Sequence, residues 1–157
     1  MTSPLVHHTP VAGERVLALL APALTEPGAV LVDATVGLGG HSRMVLDRFP
    51  AIRVIGIDRD PEALEIAAER LSASRERVHL VHAVFDEIPS VLADQGIACA
   101  DGVLFDLGVS SMQLDEARRG FSYAQDSELD MRMNPGDVLT AADVVNDYAE
   151  EDLIRIL

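Results

Sequence analysis

Short apolar runs alternate with amphipathic segments along the first hundred residues of the chain. The runs consist mainly of valine, isoleucine and leucine, and the segments between them have helical spacing. Strands are predicted at Val30–Ala34, Val54–Asp58, Val78–Val81 and Gly102–Leu107. Because strands and helices alternate, the pattern predicts an α/β fold in which helices flank a parallel sheet.

Four helices are predicted around these strands, and two of them carry clear start signals. A threonine or aspartate side chain can cap the first turn, and a proline fits the first helical position. The predicted helices extend from Thr9 and Pro10 to about Pro22, from Ser42 to Phe49, from Asp60 and Pro61 to Leu71, and from Glu87 to Gln95.

The segment 108–139 has no clear hydrophobic period and is rich in glycine, serine, aspartate and methionine. A loop of this length within a compact domain usually serves a function. Regular structure is predicted to resume at Thr140, because Thr140 and Asp143 have the spacing of a capping box. We therefore predict a long functional loop over 108–139.

A glycine-rich turn follows the first predicted strand. Gly37, Gly39 and Gly40 lie between that strand and the next helix. Glycine tolerates positive φ and has no Cβ to obstruct a ligand, while the following helix directs its positive end towards the turn. The turn therefore predicts a site for a nucleotide-like cofactor.

Two acidic residues narrow the choice of cofactor. Asp33 immediately precedes the turn, where it would repel a pyrophosphate but suit the amino and sulfonium groups of S-adenosylmethionine. Asp58 ends the second predicted strand, the usual place for a carboxylate that accepts ribose hydroxyls. The third spaced glycine of a dinucleotide site is missing. A nicotinamide-dependent oxidoreductase, which would share Asp58 and the turn, remains the alternative.

Several longer motifs carry a resemblance to one family. They are Asp33-Ala-Thr35, Gly39-Gly-His-Ser42, Ile57-Asp-Arg-Asp-Pro61, Asp101-Gly-Val-Leu-Phe-Asp-Leu-Gly-Val-Ser-Ser-Met-Gln-Leu-Asp115, Arg119-Gly-Phe-Ser122 and Asp130-Met-Arg-Met133. In these motifs the chain resembles the bacterial 16S ribosomal RNA cytosine-N4 methyltransferases, in the right order and over nearly its whole length. Met112 departs from the family, which usually has proline there.

The resemblance implies a Rossmann-like, S-adenosylmethionine-dependent methyltransferase domain. Its reaction would transfer a methyl group from S-adenosylmethionine to the exocyclic N4 of a cytidine in 16S ribosomal RNA. The implied partner is the small ribosomal subunit, and the implied location is the cytoplasm.

Candidate site residues cluster where ligands bind in open parallel sheets, at the carboxyl ends of the strands. Those at or just past strand ends are Asp33, Gly37, Asp58, Phe85 and Asp106. Gly39, Gly40 and His41 would line the methionine part of the cofactor, and Phe85 would flank the adenine. The resemblance adds Asp106 and Gln113 as cofactor contacts.

Asp106 is the candidate catalytic residue. The exocyclic amine of cytosine shares its lone pair with the ring, so an acceptor must hold its hydrogens and align the nitrogen with the methyl group. Asp106, at the end of the fourth predicted strand, has the right position for that role. Two alternatives stay open: His41 as a helix-capping residue only, and Phe85 as an ordinary core residue.

Members of this family are considerably longer than 157 residues, with a helical insertion and the last strands of the sheet beyond this point. We therefore expect residues 1–157 to form a truncated domain, incomplete at its C-terminus. The exposed edge of its fourth strand would favour self-association. A catalytically inactive, S-adenosylmethionine-binding fragment is accordingly an alternative function.

The net charge of the chain argues against an RNA partner. The net charge is −14, and phosphate backbones repel an acidic surface. All 12 cationic residues are arginines, however, and Arg118, Arg119 and Arg132 lie in the long segment. These arginines are predicted either to contact RNA or to pair with neighbouring acids.

The composition also predicts several absences. No apolar run approaches the roughly 18 residues of a membrane span, and the first residues lack the pattern of a signal peptide. No histidine pattern indicates a metal site. Cys99, the single cysteine, cannot form an internal disulfide, and its small apolar neighbours predict that it is buried.

Overall fold

A computed structural model describes residues 10–157, and the predicted cap at Thr9 lies outside these residues. The chain divides into two compact units, one ending at Asp106 and the other comprising Leu107–Leu157. The strands of the first unit are β1 (Val30–Asp33), β2 (Arg53–Asp58), β3 (Val78–His82) and β4 (Gly102–Leu104). Within the described residues they form one parallel sheet in the order β3-β2-β1-β4. This is the predicted α/β, Rossmann-like arrangement.

Helices connect these strands close to the predicted positions. They are α1 (Gly13–Leu20), α2 (Gly40–Arg48), α3 (Pro61–Arg70) and α4 (Ile88–Asp94), with short 3-10 helices at Ala21–Ala23, Ser72–Arg77 and Phe85–Glu87. The cap at Asp60 is confirmed, because its carboxylate accepts a hydrogen bond from the Glu62 backbone at 3.1 Å. The prediction that Pro10 opens α1 was wrong: Ala12 has a φ of 52°, and this left-handed residue separates Pro10 from the helix.

The fourth strand is shorter than predicted. It ends at Leu104 rather than Leu107, because the chain leaves the sheet as the Asp106 backbone N–H donates to Thr35 Oγ1 at 2.7 Å. β4 lies at one edge of the sheet, and Val103 and Phe105 are exposed there. A threonine side chain thus takes the place of a further strand hydrogen bond.

Both faces of the sheet are covered by apolar side chains. Because alternate residues of a strand point to opposite faces, Leu31 contributes to one core and Val30 and Val32 to the other. The first core consists of Leu24, Ala29, Leu31, Val45, Leu46, Phe49, Ile52, Val54, Ala67 and Leu71. The second consists of Val30, Val32, Ala34, Ile55, Ile57 and Val91. These two layers fix the sheet whose carboxyl ends form the candidate site.

The second unit contains more regular structure than predicted over residues 108–139. Its helices are α5 (Ser111–Asp115), α6 (Ala141–Asp147) and α7 (Glu150–Ile156), with a 3-10 helix at Ala117–Arg119. Helix α5 was not predicted, because five residues are too few to show a hydrophobic period. It begins at a reciprocal capping box between Ser110 and Gln113. The predicted capping box of Thr140 and Asp143 is confirmed at the start of α6.

Two arginines hold the irregular part of the second unit together. The Arg119 side chain is buried, and its guanidinium donates to the backbone carbonyls of Arg132 and Met133 at 3.2 and 2.7 Å. Arg132 in turn donates to the carboxylate of Asp130 at 2.6 Å and to the carbonyl of Asp137 at 2.7 Å. The pair of Arg132 and Asp130 agrees with the alternative in which the arginines pair with neighbouring acids.

Two further predictions concern the burial of Cys99 and membrane-spanning segments. Cys99 is exposed, so the prediction of burial was wrong; it lies in the connection between α4 and β4, where small neighbours do not enclose it. Within residues 10–157, no helix has the length and apolar character needed to span a membrane.

We predict that Arg119→Lys loosens the second unit. Lysine keeps the charge but lacks the guanidinium Nη2 that donates to both carbonyls, and the lost hydrogen bonding costs about 1–3 kcal/mol. Backbone amides of residues 120–139 should therefore exchange faster with deuterated solvent, as measured by mass spectrometry. Arg118→Lys is the matched control, because the Arg118 side chain is 59% exposed. Equal exchange in the two variants would contradict this role.

Candidate functional site

The glycine-rich turn between β1 and α2 is held in place by its own backbone. Gly37 and Gly39 have φ values of 49° and 78°, a region in which other residues are strained. The Val36 N–H donates to the Ile57 carbonyl at 3.0 Å, and the Gly39 N–H donates to the Val36 carbonyl at 2.8 Å. Gly39 caps α2, which begins at Gly40 rather than at the predicted Ser42. The turn thus rests on the end of β2.

Asp58, the last residue of β2, binds the turn directly. Its Oδ2 accepts a hydrogen bond from the Gly37 N–H at 2.7 Å, and its Oδ1 accepts one from the Asp60 N–H at 2.9 Å. Burial of this carboxyl raises the pKa of Asp58 above its ordinary value, against the lowering effect of these hydrogen bonds. The second-strand acid and the glycine turn therefore form one structural feature.

Asp33, the last residue of β1, lies beneath the turn. Its carboxylate is 1% exposed and accepts hydrogen bonds from Ser42 Oγ at 2.6 Å and from the Thr35 N–H at 3.4 Å. Desolvation raises the pKa of Asp33 to about 6, although the hydrogen bond from Ser42 acts in the opposite direction. This carboxylate joins β1 to the first turn of α2, and its predicted contact with a cofactor stays a prediction.

His41 and Asp106 meet beside the turn. The buried imidazole of His41 places Nε2 3.0 Å from the Val11 carbonyl and Nδ1 3.6 Å from Asp106 Oδ2. The Asp106 side chain is 49% exposed, while its backbone N–H is fixed by Thr35 Oγ1. The structure therefore brings together a half-exposed carboxylate and an anchored histidine.

The remaining predicted residues have clear positions. Phe85 is exposed and packs edge-on against Phe105, with 5.8 Å between ring centroids and 84° between ring planes. Exposure excludes the alternative that Phe85 is an ordinary core residue. Gln113 is buried in the second unit, where its side chain oxygen accepts a hydrogen bond from the Ser110 N–H at 3.0 Å.

The first unit thus gathers most of the predicted residues at one end of its sheet. Strand β1 lies between β2 and β4, so Asp33, Asp58 and Asp106 follow three adjacent strands. Sequence reasoning assigned no role to Thr35 or Ser42, which position Asp106 and Asp33. Both occur in the quoted motifs, but a motif does not show that the Ser42 hydroxyl donates to the Asp33 carboxylate or that the Thr35 hydroxyl accepts from the Asp106 backbone.

The chemistry of this site is anionic and polar. Carboxylates of Asp58 and Asp106 flank the turn, and little packs against the backbone at Gly37. This arrangement suits a ligand with cationic and hydroxyl groups better than a pyrophosphate. Among residues 10–157, no group of three or more histidine, cysteine, aspartate or glutamate side chains could hold a metal ion.

Comparisons with known proteins agree on one family. A sequence model of the family described as "MraW methylase family" matches residues 5–157. The chain is 61% identical over 150 residues to "Ribosomal RNA small subunit methyltransferase H" of a Nocardioides species, covering 96% of the chain and 47% of that relative. The protein of the same name from Streptomyces avermitilis is 57% identical, with the same two shares covered. The chain spans about half the length of these curated relatives.

Among solved structures, a ribosomal RNA methylase from Streptococcus thermophilus aligns with a TM-score of 0.49 and 23% identity, covering 66% of this chain and 57% of that one. A structure named "putative rRNA-methylase" from Clostridium thermocellum aligns with a TM-score of 0.48 and 22% identity, covering 67% of this chain and 54% of that one. Both are partial likenesses.

We predict that Asp33→Asn changes how stability depends on pH. Burial raises the pKa of Asp33 from 3.8 to about 6, so the folded protein binds this proton more tightly than the unfolded chain. The contribution of Asp33 to the free energy of unfolding therefore falls as pH rises between these values. Asparagine does not titrate, so the difference in that free energy, variant minus wild type, should rise by up to about 3 kcal/mol across the interval.

Urea unfolding followed by circular dichroism from pH 4 to pH 7 measures this difference. Asp94→Asn, at an exposed position near the end of α4, is the matched control and should show no such rise. A difference that stays constant for Asp33→Asn would show that the carboxyl has an ordinary pKa in the folded protein.

Proposed function

The chain belongs to the MraW methylase family, and from that premise we propose that it binds S-adenosylmethionine and supplies the cofactor site for methylation of 16S ribosomal RNA. The methyl acceptor in this proposal is the exocyclic N4 of a cytidine, as the resemblance to the cytosine-N4 enzymes implies. Curated relatives that carry the name of a small-subunit ribosomal RNA methyltransferase support the proposal.

One observation carries the proposal: the glycine turn, Asp58 and Asp106 lie together at the carboxyl ends of adjacent strands. The hydrogen bond between Gly37 and Asp58 joins the turn to the second strand, and the contact between His41 and Asp106 joins α2 to the end of β4. Cofactors of open parallel sheets bind in this crevice. The residues proposed to bind the cofactor are therefore neighbours of the residue proposed to hold the acceptor amine.

The residues present fit S-adenosylmethionine. A Cβ built on Gly37 would come within 4 Å only of the Thr35 carbonyl oxygen, so the turn leaves room for a ligand. Asp58 would accept hydrogen bonds from the ribose, because a carboxylate has about four acceptor positions and its backbone partners leave capacity. Gly39, Gly40 and His41 would line the methionine part, and exposed Phe85 would flank the adenine.

When bound, S-adenosylmethionine supplies an electrophilic methyl group on a sulfonium. The chain's own contribution is to position the acceptor amine, since alignment supplies most of the rate in such a transfer. Asp106 would accept a hydrogen bond from the amine and take up the proton that the nitrogen releases once its lone pair has bonded to the methyl carbon. The half-exposed carboxylate can reach a base that enters from solvent.

The second unit offers a fully exposed aromatic ring for an unstacked base. The Tyr123 side chain is fully exposed, and aromatic rings commonly stack on extruded bases. Arg119 and Arg132 donate to carbonyls of their own unit, so we do not assign them to RNA phosphates. In the proposal, Tyr123 contributes to recognition of the target nucleotide.

The nicotinamide alternative has less support. A dinucleotide site would share Asp58, but its pyrophosphate at the turn would lie near the Asp106 carboxylate, and like charges at close range are destabilising. An inactive cofactor-binding role for this chain differs from the main proposal only in the absence of turnover, so an activity measurement separates the two.

We predict that Asp58→Ala weakens binding of S-adenosylmethionine. Loss of a hydrogen bond from ribose to a carboxylate costs about 1.5–3 kcal/mol, which is about 10- to 150-fold in affinity. Isothermal titration calorimetry measures the change. Asp58→Asn should have a smaller effect, because its amide oxygen can still accept from Gly37. Asp47→Ala removes a carboxylate that is 59% exposed and serves as the control. An unchanged Kd in folded Asp58→Ala would remove Asp58 from the site.

The activity itself is tested with labelled S-adenosylmethionine and small ribosomal subunits. We expect methyl transfer to a cytidine N4 when the chain is joined to the part of the Nocardioides relative that extends beyond the match, and weak or no transfer by the chain alone. Asp106→Ala in this chimera should lower kcat by about 100-fold, with a much smaller effect on RNA binding, because phosphate contacts supply most of the RNA affinity.

Asp94→Asn in the same chimera is the control and should leave turnover unchanged, since this exposed residue lies on α4 away from the strand ends. A folded chimera that binds the cofactor but methylates no ribosomal RNA would refute the proposed reaction. Full turnover in Asp106→Ala would refute the role of Asp106 alone.

A further inference from the structure

The two ring nitrogens of His41 have different partners, and this difference has a chemical consequence. Nε2 lies 3.0 Å from the carbonyl oxygen of Val11. A carbonyl can only accept a hydrogen bond, so Nε2 must carry the hydrogen of this contact. Nδ1 is therefore the nitrogen that faces Asp106, with 3.6 Å between Nδ1 and Oδ2.

The backbone and the carboxylate of Asp106 are held by different residues. Thr35 Oγ1 accepts from the backbone N–H at 2.7 Å and so fixes the main chain of Asp106. Within residues 10–157, its carboxylate makes an ionic contact with His41 alone, and the Asp106 side chain is 49% exposed while that of His41 is 10% exposed. An anchored ring thus lies next to a carboxylate that can change its rotamer.

We propose that His41 is a positioning residue for Asp106: an Nδ1–H of the anchored imidazole donates to Oδ2 and directs the other carboxylate oxygen towards the acceptor amine. This inference rests on the proposed function. The separation of 3.6 Å is slightly too long for a hydrogen bond, and catalytic contacts of this kind commonly shorten when substrate is bound. Because Nε2 already carries a hydrogen, the hydrogen on Nδ1 is a second proton taken up from solvent, so in this contact His41 is an imidazolium beside the Asp106 carboxylate.

Two substitutions distinguish the roles of the two ring nitrogens. The side-chain nitrogen of asparagine occupies nearly the place of Nδ1, and that of glutamine nearly the place of Nε2. His41→Asn can therefore still donate to Asp106, whereas His41→Gln can donate only to the Val11 carbonyl. Measured in the active chimera, kcat should be about tenfold higher in His41→Asn than in His41→Gln, the effect of one ordinary hydrogen bond.

Nuclear magnetic resonance tests the contact on the chain itself, without turnover. The ring nitrogen signals of His41 are identified by their loss in His41→Gln. Asp106→Asn, a change at a half-exposed side chain, should shift the Nδ1 signal strongly and the Nε2 signal little. Asp86→Asn, an exposed carboxylate after β3, should shift neither.

The outcomes distinguish this inference from the proposed function. Higher kcat in His41→Asn together with a selective shift of Nδ1 supports it. Equal loss of turnover in the two variants, or an Nδ1 signal that does not shift in Asp106→Asn, overturns it. If the unsubstituted chimera transfers no methyl group, the proposed function fails, and the resonance experiment alone then decides whether His41 positions Asp106.

Discussion

The hydrogen bond from Ser42 to the buried carboxylate of Asp33 joins the end of β1 to the first turn of α2. Burial of a carboxylate is unfavourable, and the raised pKa of Asp33 reflects that penalty. The same carboxylate accepts from the Thr35 backbone, and the Thr35 hydroxyl accepts from the backbone of Asp106. One buried acid therefore connects three elements that border the candidate site.

Around this buried connection, the exposed surface of the site is also defined by carboxylates. Asp58 holds the glycine turn through the Gly37 N–H, and Asp106 lies beside His41 on the other side. In a chain with a net charge of −14, such a concentration of acids would discourage an anionic ligand. The electrostatics of the site favour a ligand that carries positive charge, and under the proposed function contacts to RNA phosphates would come from another surface.

Much of the fold could be predicted because it depends on local patterns. The strands at Val30, Val54 and Val78 are short β-branched runs, and the cap at Asp60 is a local hydrogen bond followed by proline. One prediction failed because a distant partner intervened. The fourth strand stops early because the Asp106 N–H bonds to Thr35, which lies 71 positions away in the chain.

The sequence by itself determined the class of fold, the glycine turn and the acids at the strand ends, because periodicity and motif spacing act over a few residues. Only the tertiary structure decided what those acids do. Asp33 and Asp58 look alike in sequence, each ending an apolar strand, yet Asp33 is sealed beneath the turn while Asp58 remains partly accessible. Their burial depends on how α2 and the turn pack over the sheet, and a sequence pattern does not record the distances between atoms far apart in the chain.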